Sequence, residues 1–303
     1  MRIGMSLSEP QGADPIGHLR DQITTAAADG FASGWLANIF GVDALTALAA
    51  AGQGVDGFEL GTAVVPTYPR HPATMAQQAL TVQAALEGRL ALGIGLSHQV
   101  VIEGMFGYSF DKPARHMREY LEVLVPLLRE GTASFSGDTV QANLSLSASR
   151  QHPVPVLLAA LAPQMLRLAG SVADGTVLWM TGPATIENHI VPSLAAAAES
   201  AGRPSPRVVC TLPVCVTADE AAARERAASI FNIYGQLPSY RAMLDREGAA
   251  TPGDVAIVGD AASVRSQIEH LGEIGVTDFV AASFGSGDDA AATHEVLQSL
   301  AGG

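Results

Sequence analysis

The strongest constraint in this chain is an alternation: a short apolar run, a turn, then an amphipathic helical stretch, repeated from one end to the other. Arg2–Leu7, Ala32–Ala37, Phe58–Val65, Leu90–Leu96, Val154–Leu161, Thr176–Met180, Val208–Val216 and Phe279–Ser283 read as strands. Helices are expected over Pro15–Asp29, Asp43–Ala51, Pro72–Leu86, Pro113–Glu130, Pro163–Val172, Ala184–Ala201, Ala262–Ile274 and Asp289–Leu300. Within Pro113–Glu130, Met117, Tyr120, Leu121, Leu124, Val125 and Leu128 share one face at the helical period. The third to sixth strands are apolar at nearly every position, which marks a parallel sheet covered on both faces. Strands alternating with helices in this number favour a closed (β/α)8 TIM barrel over an open sheet.

Two segments break the rhythm. Thr132–Gln151 is polar with a period of two and reads as an inserted hairpin. Asp219–Val258 is long for one barrel helix and reads as a lid. No Pro/Ser linker or charge block divides the chain, so residues 1–303 are expected to form one domain.

Composition narrows the partners. The formal net charge is −13, and Lys112 is the only lysine. Such a surface repels phosphodiester backbones, which argues against nucleic acid. An anionic cofactor would therefore be held by local dipoles and a few placed donors. No apolar run reaches the length of a membrane span, and the first residues lack the order of a signal peptide, so a cytoplasmic enzyme is expected. Cys210 and Cys215 would point to opposite faces of one strand, as buried thiols. No CxxC, HExxH or dense His/Asp cluster supports a metal.

Active sites of such barrels lie at the C-terminal ends of the strands. Those ends carry Ser6 and Ser8, Trp35 and Asn38, Val64 and Val65, Ser97 and His98, Ala160 to Gln164, Trp179 to Pro183, Thr211 and Ser283. The run GIGLSH (Gly93–His98) is no dinucleotide turn, because His98 stands where a third glycine belongs and no helix clearly follows. Its small residues would instead let a cofactor ring approach, with Ser97 and His98 as polar contacts; a surface histidine is the other reading. In LAALAPQML (Leu158–Leu166), Pro163 suits a first helical turn. The N–H groups of Gln164, Met165 and Leu166 would then face the mouth as a phosphate site, or merely start a helix. Arg70 pairs either with an anionic cofactor tail or, preferably, with a nearby carboxylate, and His71 reads as a helix-start residue. Met105, Phe106, Tyr108 and Phe110 wall a substrate pocket or pack under their loop.

These pieces resemble the luciferase-like monooxygenase superfamily. The resemblance rests on LGTAVVPTYPRHP, GRLALGIGLSH, PARHMREYLEVLVPLL, ADGTVLWMTGP and VGDAASVRSQIEHLGEIGVTDFV, in order along the chain. GLSHQ and MFGYSFDKPARHMREYL resemble its F420-dependent oxidoreductase branch. The resemblance implies coenzyme F420, a deazaflavin that exchanges a hydride with an organic small molecule, and an apolar pocket of Met105, Phe106 and Trp179 would suit a hydrophobic or ring-bearing one. It implies a non-proline cis peptide at Ala63–Val64 under the ring and a cofactor phosphate at Ala162–Met165. It also implies a homodimer. On this reading His98 and Asn38 are the catalytic candidates. Ser6, Trp35, Ala63, Val64, Val65, Ser97, Ala160, Leu161, Ala162, Gln164, Met165, Trp179, Thr181 and Gly182 join them around the cofactor. The rivals are an FMN-dependent two-component monooxygenase of the same superfamily and a non-catalytic flavin or deazaflavin carrier. An unrelated phosphate-binding barrel lyase ranks below both, since the strand ends offer no Lys or paired carboxylates.

Overall fold

A computed structural model describes residues 1–10 and 12–302. Eight parallel strands close a barrel: β1 (Arg2–Leu7), β2 (Ser33–Leu36), β3 (Glu59–Thr62), β5 (Leu90–Gly95), β8 (Val156–Leu158), β9 (Gly175–Trp179), β10 (Arg207–Val216) and β12 (Asp278–Ser283). Closure comes from β10, which pairs with β9 through Thr211↔Trp179 and with β12 through Val209↔Asp278. The fold class expected from the alternation is the one observed. The third strand, however, is broken. After Thr62 the chain passes through a cis Ala63–Val64 peptide and resumes as β4 (Val65–Pro66) against β5.

Around the barrel run α1 (Pro15–Ala28), α2 (Ala44–Ala51), α3 (Pro72–Ala85), α4 (Gln99–Gly104), α5 (Pro113–Arg129) and α6 (Pro163–Ser171). Then come α7 (Pro183–Thr185), a π-turn (Ile186–Ile190) and α8 (Val191–Ser200). Pro192 has no N–H to continue the α-helical ladder, and the wider turn precedes it. Aspartates start several helices: Asp14 accepts from the Gly17 N–H at 2.8 Å and Asp260 from the Ser263 N–H at 2.8 Å. The hairpin of β6 (Thr132–Ser136) and β7 (Gln141–Ser145) pairs antiparallel. It is pinned to α5 by the buried Glu119 carboxylate, which accepts from the Thr139 N–H and hydroxyl, both at 2.7 Å, and from the Val140 N–H at 3.3 Å.

Between β10 and β12 the chain makes an excursion. It comprises α9 (Glu220–Ile230), α10 (Asn232–Gln236), α11 (Pro238–Glu247), a 3₁₀ turn (Pro252–Val255) and β11 (Ile257–Gly259). Beyond Thr211 β10 no longer pairs with β9 and carries β11 through Val214↔Ile257, while staying paired with β12 as far as Val214↔Ser283. α12 (Ala261–Glu273) and α13 (Asp288–Ala301) complete the shell. No helix among the described residues is long and apolar enough to cross a membrane.

The two ends of the barrel are built differently. At the N-terminal end, Asp278 and Glu59 are bridged by Arg2 and Arg207, with Arg207 to Glu59 at 2.8 Å and to Asp278 at 2.9 Å. The interior above is filled by Trp35, Ala91, Leu157, Val177, Val209 and Val280, one from each of six strands. The C-terminal end is left open to chemistry.

Candidate active site

That end holds a cavity of about 1170 Å³. Its floor is Val177 and the cis-linked Ala63 and Val64, which rest on the Trp35 layer. Beside this bulge β5 carries glycines because nothing larger fits. A Cβ on Gly95 would lie 2.6 Å from Val64 Cγ2, and one on Gly93 would lie 1.9 Å from the Thr62 carbonyl oxygen. One wall is the turn Ala159–Ala162 with the start of α6. A second wall is Ser97, His98, Glu103 and Phe110. The excursion expected to act as a lid adds Ile233, Leu237 and Tyr240 among others to the lining.

The sequence after β5 delivers His98 to the mouth. Ser97 takes a left-handed φ of 61°, and His98 returns to extended backbone as the residue before α4. Its carbonyl accepts from the Val101 and Ile102 N–H groups, both at 2.9 Å, so the main chain is fixed. Burial holds the imidazole pKa below its ordinary value, so the ring is neutral near pH 7. Glu103, the only acidic residue in the wall among the described residues, accepts from the Gln99 amide at 2.9 Å and the Phe110 N–H at 3.2 Å.

On the other side, Pro163 occupies the first turn of α6. The Leu166 N–H is spent on the Ala162 carbonyl at 3.0 Å, so the open donors here are those of Gln164 and Met165. Sequence reasoning counted Leu166 among them; ordinary helical bonding removes it. Behind this turn His189, on the π-turn, bonds the Leu161 carbonyl through Nε2 at 2.9 Å. Among the described residues no Arg or Lys lines the cavity.

Aromatic rings frame both sides. Phe110 stacks on Tyr68 (5.4 Å), and Tyr68 on His116 (4.0 Å). Burial takes the His116 pKa down to about 4 against the opposing charge of Glu119. An arch runs from His98 to Tyr240 (5.6 Å), Tyr240 to Tyr234 (5.2 Å) and Tyr234 to Trp179 (5.5 Å). The lid is moored by Glu247, whose carboxylate accepts from the Ala184 N–H at 3.0 Å and the Thr185 N–H at 2.7 Å.

Ten of the residues expected at the site do line the cavity: Ala63, Val64, Ser97, His98, Ala160, Leu161, Ala162, Gln164, Met165 and Trp179. Six do not. Trp35 is 1% exposed and turned into the barrel, where its Nε1 donates to Ser33 Oγ at 2.9 Å and its ring fills the space a Gly61 Cβ would need. The Asn38 side chain accepts from the Ala44 N–H at 3.0 Å, a helix-start role for α2. Val65 is core, paired with Ile94 across β4 and β5. Ser6 is exposed. Thr181 is buried and donates to the Trp179 carbonyl at 3.2 Å, while Gly182 leads into the α7 turn that Glu247 caps. Arg70 pairs with Asp43, and His71 accepts from the Ala73 N–H at 3.2 Å at the start of α3. Met105, Phe106 and Tyr108 are exposed outside the wall that Phe110 joins. Tyr240 and the other lid residues were missed. They sit in an excursion where no strand-end rule applies, and the only signal was the excess length of Asp219–Val258.

Known proteins share this architecture. The model of the luciferase-like monooxygenase family matches residues 1–278. A 5,10-methylenetetrahydromethanopterin reductase of Methanolobus tindarius is 26% identical over 302 residues, covering 89% of this chain and 91% of the reductase. The solved coenzyme F420-dependent tetrahydromethanopterin reductase of Methanopyrus kandleri superposes with a TM-score of 0.80 at 22% identity, covering 99% of this chain and 97% of that one. The FMN-bound oxygenating constituent of 3,6-diketocamphane monooxygenase from Pseudomonas putida gives 0.75 at 16% identity, over 99% and 96%. At those identities the two structures speak for the fold alone.

Proposed function

From the premise that this chain belongs to the luciferase-like monooxygenase family, we propose that it is an F420-dependent oxidoreductase acting on an uncharged, hydrophobic organic small molecule. The observation that carries the reading is the floor. Gly93 and Gly95 let β5 close on the Ala63–Val64 bulge, and Ala63, Val64 and Gly95 then present an apolar floor that suits a planar ring. The fit extends along the wall. Gln164 and Met165 present two open N–H donors at the start of α6, which suits a phosphate in a cavity without basic side chains. A putative coenzyme F420-dependent oxidoreductase of Mycobacterium tuberculosis, 30% identical over 193 residues that cover 58% of this chain, favours the deazaflavin over FMN.

F420, when bound, supplies a hydride acceptor or donor at its C5 carbon. The residues of this chain do the rest. Val64 and Val177 exclude water beneath the ring, and Ala160 to Met165 bind the tail. His98, neutral at pH 7 and open to the cavity, is the group placed to contact ring or substrate and to hold the proton that balances hydride transfer. The apolar lid wall, with Leu237 and Ile233, selects an uncharged substrate body.

Titration of the purified protein with oxidised F420 and, separately, with FMN tests the assignment through cofactor fluorescence. Micromolar or tighter F420 binding with weak FMN binding is expected. Preference for FMN moves the reading to a two-component monooxygenase, and binding of neither overturns the redox assignment.

A further inference from the structure

The main chain of His98 is held through its carbonyl, yet its side chain makes no hydrogen bond. It makes no helix-capping bond, and burial is the one influence on its titration. With three χ1 wells and no side-chain hydrogen bond to choose among them, packing selects the rotamer. The ring packed against it is that of Tyr240, 5.6 Å away at an interplanar angle of 53°. Tyr240 is on the first turn of α11 and is itself fixed edge-on by Tyr234, which leans on Trp179 at the end of β9. The arch therefore links the ends of β5 and β9 through the lid.

We propose that Tyr240 is a positioning residue, whose ring aims the His98 imidazole into the cavity and shields it there, so that ordering of the lid and ordering of the reacting side chain are one event. The proposal rests on the reading of His98 as the residue that meets ring or substrate. The polar residues that share the cavity lining with His98 from its own turn and α4 are Ser97, Gln99 and Glu103, and those from α11 are Ser239 and Tyr240. Both Glu103 oxygens already accept hydrogen bonds, so removal of the Tyr240 ring is felt at His98 chiefly as hydration.

The test is an NMR titration of the full chain with isotopically labelled histidine, the His98 resonance being assigned by its loss in His98→Gln. In the unsubstituted protein the His98 midpoint lies below that of an exposed imidazole. Tyr240→Leu, or Tyr240→Met if the first variant does not fold, moves it up and abolishes the ring-to-ring Overhauser contact. Tyr240→Phe restores both. Phe231→Leu perturbs the lid where it packs on Trp179, away from His98, and leaves the midpoint in place. An unmoved midpoint in the Tyr240 variants, or an equal shift in Phe231→Leu, overturns the proposal. F420 titration of the unsubstituted protein reports separately on the cofactor reading, since the resonances require no cofactor.

Discussion

Gly95→Ala probes the seat under the cofactor with a single methyl group. The added carbon would sit 2.6 Å from Val64 Cγ2 and 3.1 Å from Ala159 Cβ. Carbon atoms in contact lie about 3.5–4.0 Å apart, so the backbone of β5 and the bulge must separate, or Val64 must turn. Both neighbours already line the cavity, and the free direction is into it. Overpacking of this kind costs about 1–3 kcal/mol. Where Val64 moves into the space of the ring, that cost appears as lost binding, an F420 affinity about 5- to 150-fold weaker. The assay is fluorescence titration with F420, run beside urea unfolding so that loss of fold and loss of seat are read apart. A folded Gly95→Ala protein that binds F420 within twofold of the unsubstituted chain would refute the argument, because the ring would then lie elsewhere than on this floor.

Three further outcomes are expected. Asp278→Asn should lower stability by about 3 kcal/mol, the lower end of the range for a broken buried pair because Arg2 is 43% exposed. Burial pushes the Asp278 carboxyl up, but hydrogen bonds and charge from Arg207, with Thr277 and Arg2, leave it below its ordinary 3.8. The folded value lies under the unfolded one, so the stabilisation is complete above the unfolded pKa and fades as pH falls through the folded one. Unfolding curves of the two proteins should accordingly converge in acid; a gap independent of pH counts against the network. Glu119→Ala strands three donors of the hairpin and should cost about 2–3 kcal/mol. Amide exchange should then quicken in β6 and β7 while β1 and β12 stay protected; uniform quickening would contradict this. His98→Ala should depress turnover of any substrate found while leaving F420 affinity within about threefold, and undiminished turnover removes the proton-holding role.

The barrel was legible because its signal is long-range and redundant: continuous apolar strands and one-faced helices such as the Met117–Leu128 stripe repeat until only closure fits. Short elements were not. α4 has six residues and no capping side chain, and β11 has three, too few for a period to show. The break at Thr62–Val65 leaves no local mark in Phe58–Val65 and entered only through the family resemblance. Trp35 shows the limit of strand-end reasoning. Position along a strand says that a residue is near the mouth, but strand direction and pleat decide whether it faces cavity or core, and here it fills the space opposite Gly61. Asn38 shows another limit, since its side chain is claimed locally by the start of α2. Tyr240 reaches the site by tertiary folding of the excursion, which no local pattern encodes.

Lys112, the only lysine, stands at the lip of the cavity: left-handed at φ 52°, exposed, and immediately before the wall residues Pro113 and Ala114. Amine-directed dyes therefore have a single side-chain target in the entire molecule, and it adjoins the entrance. An environment-sensitive fluorophore coupled there would become a built-in reporter of ligand arrival, giving a way to screen compound collections without knowing in advance what the enzyme transforms.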